Sequence, residues 1–351
     1  MTRYVILLSS MLLASSTAGA QSFAYMYDMR KLHQEKPRYE QRLGDLYGRI
    51  TALLTEPERR ALAGVRIECP LIGAQSGTPV DFYTMGHVRS ATVFMPVLSL
   101  LFLEDLATAF AWLQHRDHSL EPIEAYVTLL RSKKAADFPG GRYPAPLKAL
   151  RIPPDALSDA SVEALARAWR DEAYAFILLH EFGHVLSRYP RVAGAPGEVT
   201  GKQEEAADRF ALTVLERADP MPMGMVLWLM AQANAMPHQG QLMAEGVVKS
   251  EADWQMYAKT WALHPFTADR LSAIALHLDG WAKRASHGQP RDVLTSHAAR
   301  LAYIAQGFRD PESQGCDAGL ASRSDLATLE PRRTGAAVYR GLMQAYCEKK
   351  P

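Results

Sequence analysis

Residues 176–187 read F-I-L-L-H-E-F-G-H-V-L-S, from Phe176 to Ser187. Inside this apolar run stands His180-Glu181-Phe182-Gly183-His184, an H-E-x-x-H motif. On a helix, side chains four apart lie one above the other on the same face. The two imidazoles could then hold one zinc ion, with Glu181, one step round, beside an open coordination position. The residues before the motif agree with a helix. Val162, Leu165, Trp169, Ala173, Phe176, His180 and His184 recur at steps of three and four, an apolar stripe that ends in the two histidines. Ser158 or Ser161 is expected to cap this helix, and Tyr189-Pro190 to end it near Arg188.

A catalytic zinc needs a third protein ligand, with water in the fourth position. A third histidine six residues beyond the motif, preceded by glycine, is one solution, but Pro190 and Ser187 stand at those places. A carboxylate from a second helix is the other. About twenty residues on, the chain reads Gln203-Glu204-Glu205-Ala206-Ala207-Asp208-Arg209-Phe210-Ala211. Glu204 and Asp208 share a face, and Ala207 and Ala211 are small enough to let two helices approach. Glu204 then supplies a hard oxygen ligand, and Asp208 is placed to accept a hydrogen bond from the outer ring nitrogen of a coordinated histidine. Helix rotation is not fixed to one residue by sequence, so Glu205 competes with Glu204. The glycine- and proline-bearing stretch from Val192 to Gly201 is expected to turn the second helix back against the first.

H-E-F-G-H followed by E-E-A-A-D resembles the gluzincin zinc metallopeptidases. The E-x-x-A-D form, carried by Glu204, Ala207 and Asp208, is similar to the branch that includes the CaaX-processing and heat-shock membrane proteases. It is also similar to bacterial metallopeptidase-like proteins of unknown function. His264-Pro265-Phe266-Thr267-Ala268-Asp269-Arg270 resembles the H-P-x-x-x-x-R segment that follows the zinc helices in those families. The resemblance runs from Ala168 to about Leu276. It implies a zincin-like core holding one Zn2+ and a peptide or protein substrate cut internally. It also implies Glu181 as general base and His264 or Arg270 as a second stabiliser of the tetrahedral oxyanion. The chain lacks the multiple membrane spans of the better-known members, so their membrane substrates do not carry over.

The rest of the chain frames this core. Met1 to Ala20 reads as a signal peptide: Arg3, an apolar run from Tyr4 to Leu13, and Ala18-Gly19-Ala20 before a cleavage after Ala20. Export to a periplasm or beyond is the expectation, with no integral membrane span after cleavage. Net charge is +1 with both signs mixed along the chain, which gives no support to nucleic acid as a partner. Of Cys69, Cys316 and Cys347, the last two bracket the C-terminal segment and are the expected pair, leaving Cys69 as a small buried residue.

Four regions follow: the signal peptide 1–20, an N-terminal helical segment 21–63, a metallopeptidase domain 64–280 and a C-terminal helical extension 281–351. The expected fold is α+β and mainly helical, with a small antiparallel sheet packed beside the H-E-x-x-H helix. Val65–Cys69, Pro79–Tyr83 and Ala91–Met95 are its strands, and Ala91–Met95 the candidate edge for an extended substrate. Helices are expected from Val97 to about His115, from Glu121 to Lys134 and from Met221 to Met236, the last as core packing. Asp137 to Pro154 reads as a loop or hinge. Two functions stay open: an exported zinc endopeptidase, or a metal-bearing chaperone or assembly factor for envelope proteins with little hydrolytic activity. Glu181 separates them, because hydrolysis needs it and zinc binding does not.

Overall fold

The computed structural model describes residues 23–74, 78–86, 90–132, 135–187, 197–218, 224–225, 228–229, 249–250, 252–253, 268–285 and 289–309. The expected signal peptide, Cys316, Cys347, His264, most of Met221–Met236 and the stretch just after Ser187 lie outside these residues.

The chain is mainly helical, with a small mixed sheet. In order come α1 (Met29–Leu53), α2 (Glu56–Leu62), β1 (Arg66–Glu68), β2 (Tyr83–Met85), β3 (Thr92–Phe94) and α3 (Val97–His115). Then follow α4 (Glu121–Ser132), α5 (Pro146–Ala149), α6 (Ala160–Leu186), α7 (Gly197–Ala218), α8 (Ala268–Arg284) and α9 (Gln289–Arg309). In α1, Leu32, Tyr39, Leu43, Leu46 and Ile50 fall on one stripe and are buried.

α3 is apolar on every side, and almost all of it is buried, as an all-round apolar helix requires. By length and composition it could cross a membrane, yet 83% of its apolar window is packed inside the protein. Its two acids are both engaged. Glu104 meets Arg38 at 2.8 Å, Arg42 at 3.2 Å and Arg170 at 3.0 Å, tying α1 and α6 to α3. Asp105 accepts from the Tyr27 hydroxyl at 2.8 Å.

α6 lies against α3 on one side and α7 on the other. Its N-cap is Asp159 rather than Ser158 or Ser161. The Asp159 carboxylate accepts from the backbone of Ser161 at 3.0 Å and Val162 at 3.4 Å. Ser158 is occupied otherwise, its hydroxyl donating to the Asp155 carbonyl at 2.7 Å. Near the other end, a Cβ placed on Gly183 would sit 2.6 Å from Ala207 Cα. Glycine on α6 facing alanine on α7 is what brings the two backbones so close.

The sheet corrects three expectations, the first being its second strand, which runs from Tyr83 to Met85 rather than from Pro79 to Tyr83. Its order is β1-β3-β2, with β1 parallel and β2 antiparallel to β3, so it is mixed rather than antiparallel. The Ala91–Met95 run is not an edge but the centre. Thr92 and Val93 point to opposite faces and are 5% and 0% exposed, so this strand is covered on both faces and takes the middle position. Gly86, at φ +99°, lies in the left-handed region open to glycine as the chain leaves β2. The edge strand touching α6 is β2.

Candidate metal centre

His180 and His184 stand one turn apart on the buried face of α6, and their Nε2 atoms are 3.0 Å apart. Glu204, on α7, faces both: one carboxylate oxygen lies 3.3 Å from His180 Nε2 and the other 3.2 Å from His184 Nε2. A tetrahedral ion with bonds of about 2.0–2.1 Å separates its ligand atoms by roughly 3.3 Å. The three separations, two of them to different oxygens of Glu204, are close to that spacing. His180, His184 and Glu204 could therefore hold a metal ion.

Charge supports the same conclusion. Glu181, Glu204 and Asp208 are 0%, 1% and 2% exposed, and the guanidinium of Arg270 is buried among them at 1%. With both imidazoles neutral, these four groups sum to a formal charge of −2. Buried charge of that size is costly unless compensated, and a divalent cation compensates it. In the metal-free protein His180 takes part of this role. Burial works against its imidazolium, but Asp208 and then Glu204 outweigh burial and raise its pKa to about 9. Burial prevails at His184 over the pull of Glu204, lowering it to about 4.

The supporting residues form a second ring. Asp208 Oδ1 lies 2.8 Å from His180 Nδ1, the hydrogen bond that turns the other ring nitrogen toward Glu204. Arg270, on α8, donates to Asp208 through Nε at 2.6 Å and Nη2 at 2.9 Å, and its Nη1 meets Glu204 at 3.0 Å. Burial again opposes the charge on Asp208, and the Arg270 cation beside it keeps that carboxyl below its ordinary value. Trp228 covers both, its ring 5.6 Å from the Arg270 guanidinium and 5.5 Å from the His180 ring. Glu181 accepts from the Thr84 hydroxyl of β2 at 2.6 Å.

Sequence reasoning named His180, His184, Glu204, Asp208, Arg270 and Glu181, and the structure brings all six together. It separates Glu204 from Glu205, which lines a cleft between α7 and α8 with Arg209 and His277. It also shows what Arg270 touches: expected as an oxyanion donor, it has its three guanidinium nitrogens on Glu204 and Asp208. His264 lies outside the described residues. Thr84 and Trp228 were missed: neither belongs to a motif, and only the packing of β2 and of the chain after α7 onto α6 brings them in. Gly183 was legible only as an unspecified position of the motif.

Comparison with protein-family models, with curated proteins and with solved structures finds no match to this chain.

Proposed function

We propose that the protein is a zinc-dependent metallopeptidase of the gluzincin type, exported and acting on peptide or protein substrates. The observation that carries this reading is the buried group of His180 Nε2, His184 Nε2 and the Glu204 carboxylate, one oxygen facing each histidine, with Glu181 beside it and held by a separate partner. Two imidazoles and one carboxylate are the donor set of a catalytic zinc with an open position, and two helices with a strand beside them suit a zincin-like core. Zinc held there supplies a Lewis acid for the scissile carbonyl and an acidified water.

The chain's own residues perform the rest. Glu181 accepts the proton of the attacking water and returns it to the leaving amine. Asp208 fixes the tautomer and ring orientation of His180. Arg270 holds Glu204 and Asp208 as carboxylates in place, a positioning role. Among the described residues no strand pairs with the other side of β2, and an extended substrate would pair there.

One observation favours the second reading, a metal-bearing chaperone or assembly factor: Glu181 is fully buried, where a base must meet water. The experiment that separates the two is hydrolysis of fluorescein-labelled casein by zinc-loaded wild type and Glu181→Gln. The peptidase reading expects both to retain zinc and the variant to lose about 10²–10⁴-fold in rate. Equal rates, or no hydrolysis by either, would refute it.

A further inference from the structure

The side chain of Glu181 stands next to a ligand cluster that it does not join. Ligand atoms of His180, His184 and Glu204 all lie within 4.8 Å of one another, and among the described residues this group does not include Glu181. Were that carboxylate to turn onto a bound divalent ion, it would fill the position that substrate or water must use. One contact bears on where it points.

That contact comes from β2. The Thr84 hydroxyl donates to Glu181 Oε2 at 2.6 Å and lies 3.5 Å from the Glu181 backbone carbonyl. Thr84 itself is fixed. It pairs in register with Val93 of the central strand, and its neighbour Tyr83 stacks on Phe94 with ring centroids 4.7 Å apart. A hydroxyl also suits a base that cycles. It donates to the carboxylate and, after rotation, accepts from the carboxylic acid, so it can partner Glu181 in both protonation states.

Resting on the metallopeptidase reading above, we propose that Thr84 is a positioning residue that pins Glu181 beside the metal centre and keeps it from becoming a fourth ligand. Thr84 keeps its own proton throughout. The proton of the attacking water moves to Glu181 and on to the leaving amine.

The test compares full-length wild type with Thr84→Val, which keeps the β-branched shape and loses the hydroxyl, and with Thr84→Ser, which keeps the hydroxyl. Each protein is loaded with Co2+, and its visible absorption reports the ligand number and geometry. With the zinc forms, casein hydrolysis is resolved into kcat and KM. Thr84→Val is expected to shift the cobalt bands and lower kcat about ten- to a hundredfold with KM little changed. Thr84→Ser is expected to keep the wild-type spectrum and most of the turnover. Should the valine protein not fold by circular dichroism, Thr84→Ala takes its place.

Wild-type bands and wild-type kcat in the hydroxyl-free variant would overturn the assignment while leaving the peptidase reading intact. Wild type that binds Co2+ yet cleaves casein no faster than Glu181→Gln would sink the peptidase reading, and the cobalt spectrum alone would then decide the role of Thr84. Wild type that takes up no Co2+ would overturn both.

Discussion

Replacing Gly183 with alanine sets two effects of known sign against each other. Alanine in place of glycine within a helix gains about 1 kcal/mol from backbone entropy. At this position the new methyl would lie 2.6 Å from Ala207 Cα and 3.1 Å from both its Cβ and its carbonyl oxygen. The obstacle is the backbone of α7, not the end of a flexible side chain, so the helices themselves must part by several tenths of an ångström. Overpacking of this kind costs about 1–3 kcal/mol, and a backbone obstacle places it at the upper end. The expected net loss is about 2 kcal/mol. The same displacement carries Glu204, three residues before Ala207, away from both histidines, so metal affinity should fall about tenfold or more. Urea unfolding with chelator present measures the first effect, and zinc titration of the folded protein the second. Gly201→Ala is the control, since a Cβ there meets nothing within 4 Å; it should be neutral or stabilise by up to about 1 kcal/mol. Gly183→Ala as stable as that control, with unchanged zinc affinity, would refute the close-approach argument.

Arg270→Gln removes the cation from between two buried carboxylates and should destabilise the metal-free protein by about 3–5 kcal/mol. Zinc should then raise its Tm more than it raises that of wild type, and equal shifts would contradict that charge balance. The neighbouring acids of α3 should give opposite pH dependences. Burial opposes ionisation of Glu104, but Tyr39, Arg38 and Arg42 prevail and lower its pKa from 4.5 to about 2. Its contribution is therefore present above about pH 4.5 and lost as pH falls toward 2. Burial prevails at Asp105 over the Tyr27 hydrogen bond, raising its pKa from 3.8 to about 7. Its contribution is present below about pH 4 and lost as pH rises toward 7. Urea unfolding between pH 5 and 8 should accordingly show Asp105→Asn gaining on wild type as pH rises, and parallel curves would contradict this.

The helices and the paired histidines of α6 were legible because both rest on local period. Val97–His115 was bounded from its apolar run and proline start, and the two histidines from their spacing of four. The pairing of α6 with α7 was legible from Glu204, Ala207 and Asp208, since carboxylate and small residues shared one face. What escaped was set by non-local packing. Strand order depends on which short strand is covered on both faces, and Val93 differs from Ile67 in that respect only once the chain has folded. Arg270 was found by motif but misplaced in role, because no local pattern tells a guanidinium aimed at substrate from one aimed at ligand carboxylates. Thr84 stands 97 residues from Glu181 and carries no periodic signal at all.

A zinc peptidase built on this site requires His180, His184 and Glu204 to hold one divalent ion. Metal content of the purified protein after zinc loading and removal of excess, measured for wild type, Glu204→Gln and Glu205→Gln, tests it most directly. One zinc per chain is expected in wild type and in Glu205→Gln, and far less in Glu204→Gln, because only Glu204 faces both histidines. Wild type without zinc, or Glu204→Gln retaining a full equivalent, would contradict it.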